Sequence, residues 1–384
     1  MKKKWIDRRR WFEEITGLPE QEWKRQKATS VLNPSGDGKT LYIQNIRSGI
    51  RHAAGAFEVL SIFDLKEKLY ERASIQSNVP IFEIRIREDE ESLHCVDVAH
   101  LQSCARPHSL FQVASNFNAA EAAHRHRYPD AKDFVTFYAC DSTQGPVASA
   151  SAGVAAITRI HAPFYNRHTA PETWGQTEKR QVELLGDRIL RSHFPVQNGK
   201  LIFRGDEPRR FNEHDPHFFQ AVRIGLHRDV RAIFGRRNMN MTMLRVPSPP
   251  TIDQVFVAAL NRQAPHPHPK HLVPKTIFLL RAAYHGTYMT ALYRKTKDLY
   301  LTLVGGGSFQ NPRSLIADAI ASAHRQWAQH PSAHSLRRVI LVLYPIGGDA
   351  SLITTLREAF CRHELDPNLM QIHRYRNGRS TSYS

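Results

Sequence analysis

From Ile81 onward, apolar residues gather in short runs, and the segments between the later runs carry apolar positions three or four apart. IFEIRI (81–86), SLFQVA (109–114), VFVAAL (255–260), LYLTLV (299–304) and VILVLY (339–344) have the length and composition of strands. Between the last three lie TIFLLRAAYHGTYMTALYRK and RSLIADAIASAHRQWA, both helical in pattern. In the second, Leu315, Ile316, Ala319, Ile320, Ala323 and Trp327 fall on one face, the stripe that a helix packed on a sheet requires. Strand and helix alternating at this spacing imply an α/β architecture, a largely parallel or mixed sheet flanked by helices.

Residues 1–75 have another style. Trp5, Phe12 and Ile15 stand at helical spacing among charges, and SIFDLKEKLYERA repeats the pattern, so a mainly helical N-terminal extension is expected ahead of a core domain over 76–384. The run APHPHPKHLVP (264–274) is expected to be a surface loop.

Charge narrows the partners without choosing one. Lys and Arg outnumber Asp and Glu by 53 to 36 in 384 residues, a formal net charge of +17 that attracts anions of every kind. No apolar run approaches the roughly 20 residues of a membrane helix. The basic start, MKKKWIDRRRWFEE, has no apolar core behind it, so it is not a secretory signal. It could dock nucleic acid or an acidic partner, yet no nucleic-acid-binding signature accompanies it, and nucleic acid is not the favoured partner. The four cysteines, Cys95, Cys104, Cys140 and Cys361, form no C-x-x-C pair, so no disulfide framework or zinc site is expected. The histidine clusters at 124–126 and 266–271 lack cysteine or carboxylate partners at metal-site spacing, and no metal is expected there either. A reducing, cytosolic setting follows, or a host cytosol if the protein is delivered there.

The chemistry concentrates in three stretches. Gly305, Gly306 and Gly307 follow LYLTLV and remove every Cβ where an anion would approach, while Asn311 and Pro312 suit the N-cap and first residue of the next helix. Such a strand–glycine–helix turn suits a phosphate cradle of open N–H groups at a helix start, the alternative being a tight turn that needs positive φ. It is no dinucleotide fingerprint: the third glycine of G-x-G-x-x-G falls on Gln310, and no acidic residue closes VILVLY. Upstream, LNPSGDGKTLYI imitates the end of a Walker A loop, but Asn33 stands where its first glycine belongs and strand-like residues follow; a hairpin turn is expected. In SLFQVASNFNAAEAA a strand ends at Asn116 and Asn118 and leads into a segment bearing Glu121. In FYACDSTQGPVASASAGVAAI, Asp141, Ser142, Thr143, Gln144 and Gly145 precede a helix of small residues. Both also suit plain structural roles, turn asparagines in one case and an acidic cap on a packing helix in the other.

LFQVASNFNAAE, YACDSTQGP and LTLVGGGSFQNP, in this order, resemble the macro-domain-like ADP-ribosylhydrolases, in particular the MavL-like branch that acts on ADP-ribosylated ubiquitin. The resemblance runs from about Phe57 to Tyr344 and takes in WGQTEKRQ, RIGLHRDV and IDQVFVAAL. It implies a macrodomain-like sheet holding ADP-ribose as ligand or product, with no cofactor required and an ADP-ribosylated protein as partner. Asn116 and Asn118 would then lie near the distal ribose. Asp141 to Gly145, with Thr143 and Gln144, would line the cleft; Gly305, Gly306, Gly307, Ser308 and Phe309, with Asn311, would wrap the diphosphate. Poly(ADP-ribose) glycohydrolases place tandem glutamates close behind their GGG loop, whereas Ser308, Phe309, Gln310 and Asn311 follow here. A mono-ADP-ribosyl bond to protein is therefore the expected target, with a non-catalytic ADP-ribose reader as the alternative. Cleavage at the anomeric carbon passes through an oxocarbenium-like state that a carboxylate stabilises or uses to activate water. Asp141 is the first choice, with Asp133 and Glu121 as further candidates and Asn118 holding a ribose hydroxyl.

Overall fold

A computed structural model of the chain describes residues 5–383 except 8–9, 21, 23–30, 37–39, 71–78, 121–147, 171–172, 187, 204–206, 209, 236–241 and 264–270. The chain begins with β1 (Trp5–Asp7), α1 (Trp11–Thr16), β2 (Leu32–Pro34), β3 (Leu41–Gln44), β4 (Arg51–Ser61) and α2 (Ile62–Tyr70). There follow β5 (Ile81–Arg87), α3 (Val98–Ser103), β6 (Ser109–Ser115), α4 (Ala148–Ser151) and α5 (Gly153–His161). The middle holds α6 (Arg188–His193), β7 (Val196–Gln197), β8 (Lys200–Leu201), α7 (Pro216–Ala221), β9 (Arg223–Arg231), β10 (Phe234–Gly235), β11 (Thr242–Arg245) and β12 (Thr251–Ala258). The last third alternates as α8 (Leu272–Tyr293), β13 (Asp298–Leu301), α9 (Arg313–Trp327), β14 (Arg338–Ile346), α10 (Ala350–Arg362), β15 (Met370–Arg376) and β16 (Arg379–Tyr383).

Eleven strands form one mixed sheet in the order β16-β15-β5-β14-β13-β6-β12-β9-β4-β3-β2. From β15 to β12 every neighbour is parallel. Beyond β12 the strands turn antiparallel. Side chains on a strand alternate between faces, and β13 shows where the two layers of the core go. Leu299 and Leu301 pack with α8, α9 and α10 in one buried cluster. Tyr300, between them, joins Phe111, Ile340, Leu101 and Ala155 in another. Helices therefore cover both faces, as the alternating pattern requires, and the mixed α/β sheet is the expected one.

The expectation for residues 1–75 needs correction. Trp5 belongs to a strand that pairs with β11, and among the described residues of the first pattern the α-helix covers Trp11–Thr16. The described residues between the two helices include strands β2, β3 and β4, which continue the main sheet through β9. Their pattern hides because β4 is bonded on both edges by backbone while carrying His52, Ala53, Ala54 and Gly55, residues with little apolar periodicity. The Walker-like stretch is the hairpin expected: β2 and β3 pair antiparallel, with Ser35 N donating to Thr40 O at 2.9 Å across the turn. Of the loop expected over 264–274, residues 264–270 lie outside the described residues, and α8 already begins at Leu272.

Candidate functional site

In an α/β sheet, ligands bind beyond the carboxyl ends of the parallel strands. Here that edge carries the turn after β6, the turn after β12 and the glycine loop after β13, three adjacent strands in the order β13-β6-β12.

The strand leading to the glycines stops earlier than its sequence suggests. LYLTLV is apolar to Val304, yet the ladder ends at Leu301 because side chains capture the next backbone groups. Thr302 N donates to Gln112 Oε1 at 3.1 Å, and Gln112 Nε2 donates to Thr287 Oγ1 of α8 at 2.8 Å. The buried Tyr284 hydroxyl donates to Thr302 O at 2.8 Å and accepts from Val304 N at 3.0 Å. Burial pushes the Tyr284 hydroxyl pKa up, so it stays protonated and keeps both bonds.

From this anchor the loop turns sharply. Gly305 takes φ +70°, and a Cβ there would lie 2.0 Å from Asn311 Nδ2 and 3.0 Å from Ala259 Cβ. Gly306 N donates to Leu303 O at 2.9 Å and Asn311 N to Gly305 O at 3.0 Å, while Arg262 N donates to Phe309 O at 3.1 Å. The N–H groups of Gly305, Gly307, Ser308 and Phe309 donate to no described residue. Gly307 is exposed, and a methyl group added to it would meet nothing within 4 Å. Pro312, rather than Asn311, is the residue at the N-cap of α9, and it has no side-chain cap bond. Asn311 instead turns under the loop, 3% exposed, with neither Oδ1 nor Nδ2 bonded to a described residue. A cap needs the side-chain oxygen over the first free N–H groups of the helix, and the positive φ of Gln310 (52°) directs the chain otherwise. At the first helical position, Arg313 forms an ion pair with Asp349, the N-cap of α10, so the glycine loop and the loop after β14 are tied together.

The asparagines differ from each other. Asn116 N donates to Ala120 O and Ala119 N to Asn116 O, both at 3.0 Å, a tight turn with Ala119 at φ +59°. A left-handed alanine is strained by about 1 kcal/mol or more, and several bonds hold it. Buried Arg159 donates to Ala119 O at 2.6 Å, and Gln176 Nε2 donates to Asn118 O at 3.1 Å. The Asn118 carboxamide joins the same bracing, accepting from Ala120 N at 3.3 Å and donating to Gln181 Oε1 at 3.2 Å. By contrast, the Asn116 side chain takes no part in this bracing among the described residues, and its main-chain carbonyl accepts from Ser115 Oγ at 2.9 Å. Since Ser115 pairs with Ala258, Asn116 stands level with Ala259, which touches the Gly305 position. Asn116 and a run of N–H groups unbonded among the described residues thus lie on one edge of the sheet, an arrangement that suits a ribose hydroxyl and a phosphate.

Of the other sequence candidates, Glu121, Asp133, Asp141, Thr143, Gln144 and Gly145 lie outside the described residues. Sequence reasoning did not single out Gln112, Tyr284, Arg159, Gln176 and Gln181 as the residues that build this edge. Gln176 and Gln181 fall inside WGQTEKRQ, so a signal was there for them; a lone glutamine in a strand or tyrosine in a helix gives none. Among the described residues, no group of three or more His, Cys, Asp or Glu side chains is placed to hold a metal ion. Nor is any described helix long and apolar enough to cross a membrane.

Fold and edge together define an α/β protein that presents a glycine loop and an asparagine turn above a parallel sheet. No family model matches the sequence, and no curated protein matches it either. Among solved structures, the chain is similar to the poly(ADP-ribose) glycohydrolase of Thermomonospora curvata, at 15% identity over 93% of this chain and 98% of that one, with a TM-score of 0.46. The same enzyme bound to the inhibitor ADP-HPD matches at 13% identity over 92% and 98%, TM-score 0.43. The poly(ADP-ribose) glycohydrolase of Deinococcus radiodurans in complex with ADP-ribose matches at 15% identity over 80% and 93%, TM-score 0.42.

Proposed function

We propose that the protein is an ADP-ribosylhydrolase that removes mono-ADP-ribose from a modified protein in a cytosolic setting. The observation that carries this reading is that the N–H groups of Gly305 and Gly307–Phe309, unbonded among the described residues, lie on the same sheet edge as Asn116. A diphosphate accepts from such N–H groups, and the ribose beyond it meets the asparagine. In this reading Asn118 positions the turn while Asn116 holds the hydroxyl. Asp141 is the carboxylate proposed to stabilise the oxocarbenium-like state or activate water, with Asp133 and Glu121 as alternatives. Ubiquitin, as in the MavL-like branch, or an arginine side chain is the proposed acceptor.

The test is calorimetric titration of the purified protein with ADP-ribose, alongside Gly307→Glu, which places a carboxylate at the loop mouth where space is open. Expected are micromolar binding by the wild type and its loss in the variant. A wild-type protein that does not bind ADP-ribose would end this reading. Where binding holds, release of ADP-ribose from mono-ADP-ribosylated ubiquitin separates hydrolase from reader: Asp141→Asn should abolish turnover and keep affinity within about tenfold.

A further inference from the structure

The eleven-stranded sheet has two ends, and they are finished differently. At one end lies β2, three residues long and closing on Pro34, which has no N–H to offer a further strand. At the other lies β16, which reads RSTSY. It holds no proline, pairs with β15 without a bulge, and carries its one charge at the first residue. Arg379, Ser380, Thr381 and Ser382 are all exposed, and no described strand pairs with the outer side of β16. Very short strands, prolines and bulges are the usual means of closing an edge; β2 uses two of them and β16 uses none.

The hairpin decides which backbone groups face outward. β15 and β16 are joined by Asn377 and Gly378, at φ 50° and 71°, the two left-handed residues of a type I′ turn. The residues flanking such a turn, Arg376 and Arg379, form a hydrogen-bonded pair. Bonded and non-bonded pairs then alternate. Arg379, Thr381 and Tyr383 therefore turn their backbone groups toward β15, while Ser380 and Ser382 turn theirs outward. The turn is anchored, since Asn377 N donates to Asp89 Oδ2 at 2.7 Å and Gly378 N to Ser92 Oγ at 3.1 Å. The edge is thus preformed, with two donors and two acceptors in line.

An antiparallel copy of the same edge meets it in register. With the two Thr381 residues opposite each other on a two-fold axis, Ser380 falls opposite Ser382 of the copy on either side. The outward groups belong to these serines, so both serine pairs are of the hydrogen-bonded kind and give four bonds across the joint. The threonine pair is the closer, non-bonded kind, in which small uncharged side chains fit and like charges do not. The two Arg379 residues stand four positions apart along the strands, roughly 13 Å. That separation exceeds the Debye length of about 10 Å at 0.1 M salt.

We propose that the protein forms a two-fold homodimer by antiparallel pairing of β16 with β16 of a second copy, so that one sheet runs through both molecules. Serine and threonine offer no pocket with which to choose a foreign strand, whereas Ser-Thr-Ser is its own complement about Thr381. Pro34 closes the β2 end, so growth stops at two copies. The joint is short, and its association belongs to the weak, concentration-dependent class. It rests on no part of the ADP-ribose reading.

Sedimentation velocity of the full chain over a concentration series tests this. Expected for wild type is a rise from the monomer mass of 44.0 kDa to twice that value as concentration increases. Ser382→Pro deletes an outward N–H and leaves the bonds to β15 in place. Thr381→Lys sets two positive charges opposite each other on the axis. Each should weaken association at least tenfold while keeping the urea midpoint of wild type, and Asn33→Lys, on β2, should associate as wild type does. Should Ser382→Pro fail to fold, Thr381→Lys decides alone. Four results would each overturn the proposal: a wild type that stays monomeric up to about 100 µM; association that survives in a folded β16 variant; association lost in Asn33→Lys, which moves the joint to β2; and a mass that climbs past two copies.

Discussion

Replacing Gly305 with alanine tests the construction of the glycine loop against its neighbour Gly307. At φ +70°, an alanine costs about 1–2 kcal/mol for the left-handed backbone. Its Cβ would also stand 2.0 Å from Asn311 Nδ2, well inside ordinary contact. Asn311 cannot swing away freely, being 3% exposed with its own N–H bonded to Gly305 O. Overpacking of this kind costs about 1–3 kcal/mol. The two contributions give a loss of about 2–5 kcal/mol for Gly305→Ala. Gly307 lies outside the left-handed region with open space around it, so Gly307→Ala should stay within about 0.5 kcal/mol of wild type. Urea denaturation of the three proteins at one pH measures both. Equal stability of Gly305→Ala and wild type, or equal losses in the two variants, would refute the reasoning.

Other consequences are as direct. Asn116→Ala should leave urea stability within about 0.5 kcal/mol, because its side chain takes no part in the bracing of the turn among the described residues, while weakening ADP-ribose binding about tenfold; calorimetry reads the second number. Gly199→Ala, at φ +75° with a Cβ 2.4 Å from Asn118 Cγ, should disturb the asparagine turn and destabilise by about 2 kcal/mol or more in the same denaturation assay. Acid should also unfold the protein through its buried histidines. His161 and His227 are lowered by burial to about 3, against an ordinary 6.5. Their unfolded forms bind protons that the folded forms refuse, so stability is full above pH 6.5 and falls as pH drops toward 3. At pH 5 each contributes a loss of about 2 kcal/mol, and a urea midpoint unchanged between pH 7 and 5 would contradict this.

The sequence disclosed those parts of the fold in which side-chain pattern and backbone agree. α9 runs Arg313–Trp327, where its apolar stripe lies, and β5, β6 and β14 begin and end within a few residues of their apolar runs. β13 is shorter than LYLTLV because Gln112 and Tyr284, distant in the chain, take over the bonds of Thr302 and Val304. No local pattern records that exchange. Among the candidate site residues, the glycines and asparagines were legible as a pair of turns, and the parallel order of β13, β6 and β12 brings them together. Which asparagine presents its amide was not legible. Asn116 and Asn118 are the same residue two positions apart, and only the bracing by Gln176, Gln181 and Arg159 distinguishes them. The cap expected at Asn311 failed for a related reason, since the positive φ at Gln310 reorients a residue that sequence alone places correctly beside the helix.

The hydroxyl of Tyr284 holds both Thr302 O and Val304 N from inside a core helix, and this divides the loop in time. The amide of Val304 can exchange with solvent only when that helix contact opens, on the schedule of the core, whereas the amides from Gly307 to Phe309, unbonded among the described residues, exchange on the schedule of the surface. The hinge between slow and fast therefore falls at Gly305 and Gly306, so an anion settling on the loop would find its base already fixed and would need to quiet only the tip.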